Sequence, residues 1–109
     1  MIYITDENWN NGEIISTNNG IMVVKASASW CGPCKAYKPI FEEFAEKNAG
    51  SDIQFAEVDV DECEGFTQYA GIRGVPSTMI YNNGRLVSKT AGLIDSNKLA
   101  ELVAEAKTK

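Results

Sequence analysis

The stretch Trp30-Cys31-Gly32-Pro33-Cys34-Lys35 stands between an apolar run, residues 21–26, that only Lys25 interrupts, and a run with apolar residues at helical spacing. Two cysteines separated by two residues can close a small disulfide ring or open to a dithiol, which is typical of a thiol–disulfide exchange site. The free N–H groups at the helix start favour a thiolate on the first sulfur. We therefore expect Cys31 to be the exposed nucleophile and Cys34 to be a more buried resolving thiol.

The other residues of this box fit the same interpretation. Gly32 carries no side chain, which lets a substrate approach the sulfur of Cys31. Pro33 suits the first turn of a helix, where its missing N–H has no intrahelical partner. Lys35 is interpreted either as a solvated charge or as a group that assists docking and the thiolate.

The pattern on both sides of the box predicts strands alternating with helices and then a hairpin. Asn82-Asn83-Gly84 between two β-type runs is the hairpin signal. Asn10-Asn11-Gly12 weakens the prediction of the first helix. The resulting order βαβαβαββα predicts an α/β fold, a central mixed five-stranded sheet flanked by helices on both faces. Strands are expected at 2–4, 21–26, 53–60, 77–81 and 86–90, and helices at 6–16, 34–48, 61–70 and after Asp95 or Ser96.

Length and composition limit the kinds of protein this chain can be. With 109 residues we expect one domain, 1–109. The net charge of -5 and the lack of a basic patch argue against a nucleic-acid partner. No apolar run approaches the ~18 residues of a membrane span, and no signal peptide is visible. We therefore expect no membrane association and a reducing, cytoplasmic compartment.

Metal binding and a purely structural disulfide are the less favoured interpretations of the cysteine pair. A zinc site needs two further ligands, yet histidine is absent and Cys63 stands alone, so no metal is expected. A ring this small restrains little chain. Cys63 is interpreted as an inert thiol, with regulatory oxidation or dimerisation as the alternative. Asp59 and Asp61 are interpreted as a strand end and a helix cap.

Taken together, the motifs resemble the thioredoxin family along nearly the whole chain. The resemblance implies the thioredoxin fold, a protein-disulfide reductase activity and disulfide-containing protein substrates. It implies no bound cofactor, because the dithiol carries the electrons, and recharging by an NADPH-dependent thioredoxin reductase. A monomer is expected. The matching segments are Ala28-Ser29-Trp30-Cys31-Gly32-Pro33-Cys34-Lys35, Lys38-Pro39, Val58-Asp59-Val60-Asp61, Gly71-Ile72-Arg73-Gly74-Val75-Pro76-Ser77, Asn83-Gly84 and Gly92.

The same resemblance implies a substrate-binding surface. Val75-Pro76 resembles the family's cis-proline loop, which would pack beside the two sulfurs and offer the Val75 backbone to an extended substrate strand. A shallow apolar groove around Cys31 is then expected. Its lining would be Trp30, Val60, Gly74, Val75, Ala91, Gly92 and Leu93.

The chain departs from the family pattern at two positions. Lys25 occupies the strand position where the family usually carries a buried aspartate, and Glu57 occupies a position that often holds a lysine. This predicts a reversed ion pair, Lys25 with Glu57. A cation here favours thiolates, so we expect a protein somewhat more oxidising than an aspartate-bearing relative, with Glu57 as the proton acceptor for Cys34.

Two other functions remain open on the sequence alone. The chain could be a redox-independent binding subunit of a larger complex, which would survive replacement of both Cys31 and Cys34 by serine. It could also be a more oxidising, isomerase-like exchanger. The proline of the box argues against that, and Lys25 argues mildly for it.

Overall fold

The computed structural model describes residues 1–109 and contains five strands and four α-helices. Their chain order is the predicted βαβαβαββα. A 3₁₀ turn at Asn10–Gly12 precedes the first helix. The elements are β1 (Ile2–Ile4), α1 (Glu13–Ser16), β2 (Ile21–Ser27), α2 (Gly32–Lys47), β3 (Gln54–Asp59), α3 (Glu64–Ala70), β4 (Ser77–Asn82), β5 (Arg85–Ala91) and α4 (Ser96–Ala106).

The strands form one mixed sheet in the order β1-β3-β2-β4-β5. β1 and β2 both run parallel to β3, while β4 is antiparallel to β2 and to β5. The β4–β5 hairpin turns at Asn83 and Gly84, which have φ angles of 52° and 82°. An Asn-Gly pair adopts such angles readily. The predicted α/β class and five-stranded mixed sheet are confirmed.

Each face of the sheet buries its own apolar cluster. Along β2, Met22, Val24 and Ala26 point to one cluster, and Ile21 and Val23 point to the other. This alternation makes β2, the middle strand, buried on both faces, as its apolar sequence, interrupted only by Lys25, predicts. Residues of α1 and α3 pack on the first face, and residues of α2 and α4 pack on the second. None of the helices has the length and apolar composition that crossing a membrane requires.

The predicted helix over 6–16 is wrong in its first half. Thr5 and Asn8 instead form a turn in which each side chain accepts a hydrogen bond from the other's backbone N–H, at 2.7 and 3.3 Å. Asn10 and Asn11 then take positive φ angles of 48° and 54°, and Gly12 follows at 88°. Three consecutive left-handed residues cannot belong to a right-handed helix, so only the four residues of α1 are helical.

The third helix also starts later than predicted, at Glu64 rather than residue 61. The Asp59 side chain accepts a hydrogen bond from the Asp61 N–H at 2.9 Å, which closes a turn at the end of β3. Cys63 precedes the helix without a side-chain capping bond. Asp61 is therefore not a helix cap, and its carboxylate is free to bind elsewhere.

Candidate active site

The two cysteines of the box lie where β2 leads into α2. Cys31 precedes the helix in an extended conformation, and Cys34 lies in its first turn. Their Cα atoms are 5.3 Å apart and their sulfurs form a disulfide bond. The Sγ atom of Cys31 accepts a hydrogen bond from the backbone N–H of Cys34 at 3.2 Å. The helix thus points an otherwise unpaired N–H at this sulfur, an arrangement that favours a thiolate.

The predicted contrast in exposure between the two cysteines is wrong for this disulfide form. Cys31 is 4% exposed and Cys34 is 5% exposed. The side chains of Val60 and Val75 pack against the pair, and the bond to Cys34 holds the Cys31 sulfur against the protein. Open space nevertheless lies beside Gly32, since a Cβ built there would meet no heavy atom within 4 Å.

The proline loop lies directly against Cys31. The Val75–Pro76 peptide bond is cis. The carbonyl oxygen of Val75 lies 3.6 Å from the Cys31 Sγ, and Pro76 is buried beside it. On the other side of the loop, the Gly92 N–H donates to the Pro76 carbonyl at 2.8 Å. The proline loop therefore contacts the disulfide on one side and the residue that follows β5 on the other.

The predicted groove is divided between two cavities. Four of its expected residues, Trp30, Val60, Gly74 and Val75, line one cavity of about 110 Å³, which we call the Trp30 cleft. Ala91 lines a separate cavity of about 240 Å³ with Gly74. Gly92 and Leu93 line neither. Residues that the sequence did not assign to the groove also line the Trp30 cleft: Thr67, Ile72 and Arg73. Ile72 and Arg73 belong to the motif around Val75-Pro76, and this position in the motif could have assigned them to the groove.

Trp30 is held in place by a residue that sequence reasoning assigned to another role. Its indole Nε1–H donates to Oδ2 of Asp61 at 2.7 Å, although the side chain of Trp30 is 69% exposed. The acceptor is charged, which makes such hydrogen bonds shorter and stronger than neutral ones. An exposed aromatic side chain beside a reactive sulfur is thereby held at one edge of the Trp30 cleft.

Lys25 and Glu57 lie side by side on neighbouring strands of the sheet. They are register partners on the parallel strands β2 and β3, and the Lys25 Nζ lies 3.0 Å from Oε2 of Glu57. The side chains are 4% and 20% exposed. Both residues line a cavity of about 230 Å³ together with Cys34 and Lys35. The structure thus brings together the charged residues that the sequence assigned to tuning the cysteines.

Cys63 lies apart from this site. It is fully buried in the cluster that α3 forms with the sheet. Burial raises the pKa of its thiol, because an ionised sulfur would lose its hydration there. The structure therefore gives this cysteine the environment of an inert core thiol.

A disulfide at the start of a helix, faced by a cis-proline loop, defines the class of dithiol–disulfide oxidoreductases. The family model for thioredoxin matches residues 1–105. The thioredoxin of Mycoplasmoides gallisepticum is 38% identical over 91 residues, 84% of this chain and 88% of that protein. The thioredoxin of Coprinus comatus is 40% identical over 77 residues, 70% and 73% of the two chains. The chain belongs to the thioredoxin family.

Solved structures agree with this assignment. The Malassezia sympodialis thioredoxin superimposes with a TM-score of 0.83 at 28% identity, covering 98% of this chain and 91% of that one. A mutant form of the Halobacterium salinarum thioredoxin has a TM-score of 0.82 at 28% identity, covering 97% and 89%. The protein is accordingly a protein-disulfide oxidoreductase that uses the Cys31–Cys34 pair as a redox disulfide, with no bound cofactor.

Proposed function

We propose that residues 1–109 act as a single-domain, general protein-disulfide reductase in which Cys31 attacks and Cys34 resolves. The observation that carries these roles is the N–H of Cys34, which points at the Cys31 sulfur from 3.2 Å. After reduction this N–H favours the thiolate of Cys31 over its thiol. Cys34 receives no comparable hydrogen bond, so it is the cysteine that waits as a thiol.

The reaction then proceeds in two displacements. The Cys31 thiolate attacks one sulfur of a substrate disulfide, forming a mixed disulfide and expelling the other substrate sulfur as a thiolate, which takes a proton from water. Cys34 loses its proton and attacks the Cys31 sulfur. The Cys31–Cys34 bond forms and the second substrate sulfur leaves. The substrate gains two electrons, which the protein dithiol has lost.

Substrate binding is assigned to the surface around Cys31. We assign the Trp30 cleft to apolar side chains of the substrate, and the backbone of Gly74 and Val75 to hydrogen bonds with an extended substrate strand. The space beside Gly32 leaves room for the second substrate sulfur. Pro76 positions the loop, and Ala91, Gly92 and Leu93 extend the surface along the end of β5. Recognition of backbone rather than particular side chains suits a reductase with many protein substrates.

The remaining parts of the proposal concern the setting of the reaction. Electrons come from an NADPH-dependent thioredoxin reductase, and the protein takes part in electron transport as a cytoplasmic monomer. The support is the family membership together with the sequence features described above. Mixing the protein with such a reductase and NADPH tests the electron source, because NADPH oxidation should then depend on an added disulfide substrate.

Reduction of insulin disulfides by the dithiol tests the assigned roles. We expect Cys31→Ser to abolish attack and Cys34→Ser to trap a mixed disulfide, which mass spectrometry detects as an adduct. Cys63→Ser is the matched control and should retain activity. An adduct on Cys34 in the Cys31→Ser protein, formed as fast as the Cys31 adduct in the reverse variant, would contradict the assignment.

Two measurements separate this proposal from the other functions. A binding subunit whose redox chemistry is incidental would support its complex with both cysteines replaced by serine, whereas a reductase would not. The equilibrium potential of the Cys31–Cys34 couple, titrated against dithiothreitol, separates a reductase from an isomerase-like exchanger. Lys25, which lines a cavity with Cys34, would by itself favour a value on the more oxidising side, and its 3.0 Å contact with Glu57 opposes that effect.

A further inference from the structure

A buried lysine is the least expected side chain of this core. Lys25 is 3% exposed, and its Nζ has one carboxylate partner, Oε2 of Glu57. The ring of Phe41 lies beneath the same ammonium group, 5.5 Å from Nζ to the ring centroid. Burying an ion pair often stabilises a protein less than apolar residues of similar size would. Its position beside reactive groups therefore calls for a functional explanation.

The pair stands on the face of the sheet that α2 covers. Val23 and Phe55 are register partners in the apolar cluster on this face, and Lys25 and Glu57 are the pair two residues further along the same strands. Along β2 and β3, the apolar pair of the cluster is thus followed by a charged pair, which shares a cavity with Cys34.

Cys34 meets this charged pair across an open, polar space. The cavity of about 230 Å³ that both line is large enough for several water molecules, and seven of its nine lining residues are polar or charged. Oε2 of Glu57 makes the ion contact with Lys25 but accepts no hydrogen bond. The carboxylate therefore retains hydrogen-bonding capacity next to the cavity. The complete lining is Lys25, Ser27, Ala28, Ser29, Cys34, Lys35, Lys38, Glu57 and Asp59.

We propose that Glu57 accepts the proton of Cys34 through water in this cavity, and that Lys25 positions the carboxylate. The proposal rests on the reductase function above and specifies its second displacement. The Cys34 S–H bond breaks, the proton passes to Glu57, and the sulfur's electron pair forms the bond to Cys31. The substrate sulfur leaves with the electrons of the broken mixed disulfide. When the disulfide is reduced again, the proton returns from Glu57 to Cys34.

Other charged groups also face this space. Lys35 and Lys38 of α2 also line the cavity, but both residues are exposed. The second carboxylate in the lining is Asp59, two residues further along β3. On its other side, Glu57 lines a neighbouring cavity with Tyr3 and Glu62. Glu57 alone combines a place beside Cys34 with a buried cation in contact.

The test is a stopped-flow reaction of the reduced protein with the aromatic disulfide dithiobis(nitrobenzoate), followed by absorbance of the released thiolate. The first release is attack by Cys31, and its rate rises with reagent concentration. The second is attack by Cys34, and its rate is independent of concentration. The two displacements are therefore measured separately in one experiment, at a series of pH values.

Replacing both charges at once avoids leaving either one buried alone. In Lys25→Met/Glu57→Gln we expect the concentration-independent phase to slow by about 100-fold at neutral pH, the lower end of what a positioned base contributes. The concentration-dependent phase should stay unchanged within error. The matched control is Lys47→Met/Glu43→Gln, which removes an exposed pair of the same 3.0 Å separation on α2 and should change neither phase.

The single variant Lys25→Met tests the positioning role of Lys25. Without the cation, the carboxylate loses the 3.0 Å contact that positions it, so the concentration-independent phase should slow and change its pH profile, while the concentration-dependent phase should not. In the double variant the slowing should be larger, because no carboxylate remains at position 57. Glu57→Asp keeps the charges, shortens the side chain and should give an intermediate loss.

The outcomes are distinguishable. A folded double variant that keeps the parent rate of the concentration-independent phase overturns the proposal. If that variant does not fold, a parent-like rate and pH profile in both Glu57→Asp and Lys25→Met overturn it. Absence of both phases in the parent protein means instead that the reductase function itself has failed.

Discussion

Removal of the Asp61 carboxylate should weaken reaction with protein substrates while leaving the chemistry at the sulfur intact. The indole of Trp30 is 69% exposed, and its 2.7 Å hydrogen bond to Asp61 is the polar contact that fixes it. Hydrogen bonds to charged groups contribute about 1.5–3 kcal/mol, and solvent exposure reduces this contribution to about 1 kcal/mol. A loss of about 1 kcal/mol lowers a rate constant about fivefold.

The assay compares two substrates on one set of variants. For Asp61→Ala we expect about a fivefold lower second-order rate constant with insulin, since a mobile indole no longer completes the Trp30 cleft. With a small aromatic disulfide, which does not fill the cleft, the rate constant should be unchanged. Asp61→Asn is the matched variant, because its amide oxygen still accepts from the indole N–H, and it should lose less than Asp61→Ala.

Two results would refute this reasoning. An equal loss with both substrates would mean that Asp61 acts on the Cys31 thiolate and not through Trp30. An unchanged rate with insulin, in a variant whose Trp30 fluorescence shows a freed indole, would mean that the cleft does not contribute to binding. The fluorescence is read in a Trp9→Phe background so that one indole reports.

Three further predictions concern stability and reactivity. Burial raises the pKa of Tyr81 to about 12, so the unfolded state loses this proton first and stability should fall by about 2 kcal/mol between pH 10 and 12. Tyr81→Phe should remove that part of the alkaline loss in urea titrations, and exposed Tyr3→Phe should not. The Asp95 side chain accepts from the Lys98 N–H at 2.8 Å, so Asp95→Ala should cost about 1 kcal/mol, measured by urea unfolding, and Asp95→Ser much less. Cys63 should resist iodoacetamide in the reduced native protein, where the raised pKa of its thiol keeps it protonated. Rapid native alkylation of Cys63 would contradict its core environment.

Parts of the sheet were predictable where the local sequence pattern and the burial of the strand agree. The apolar run of β2, interrupted only by Lys25, indicated a strand covered on both faces, and the Asn83-Gly84 turn indicated the final hairpin. The first helix was overestimated because consecutive asparagines and a glycine can adopt left-handed conformations at little cost. The helical spacing of apolar residues does not reveal whether the residues between them adopt left-handed or right-handed helical conformations.

The site was predictable in composition but not in its detailed contacts. Cys31, Cys34 and the Val75-Pro76 loop carry recognisable motifs, and the Lys25–Glu57 pairing followed from matching their positions to the family pattern. The equal burial of the two cysteines depends on packing by Val60 and Val75, which are distant in sequence from the box. The hydrogen bond from Trp30 to Asp61 spans 31 positions, and no local pattern marks it.

The position of the Lys25–Glu57 pair gives the two cysteines different electrostatic surroundings. At Cys31, the Cys34 N–H favours negative charge on the sulfur. At Cys34, Lys25 and Glu57 line the same cavity as the cysteine. Because Lys25 alone would favour a thiolate on Cys34 as well, the two sulfurs would compete for ionisation. The carboxylate of Glu57 opposes that effect and supplies an acceptor when the proton must leave. A neutralised cation beside Cys34 thus fits a thiol that stays protonated during the first displacement and ionises during the second.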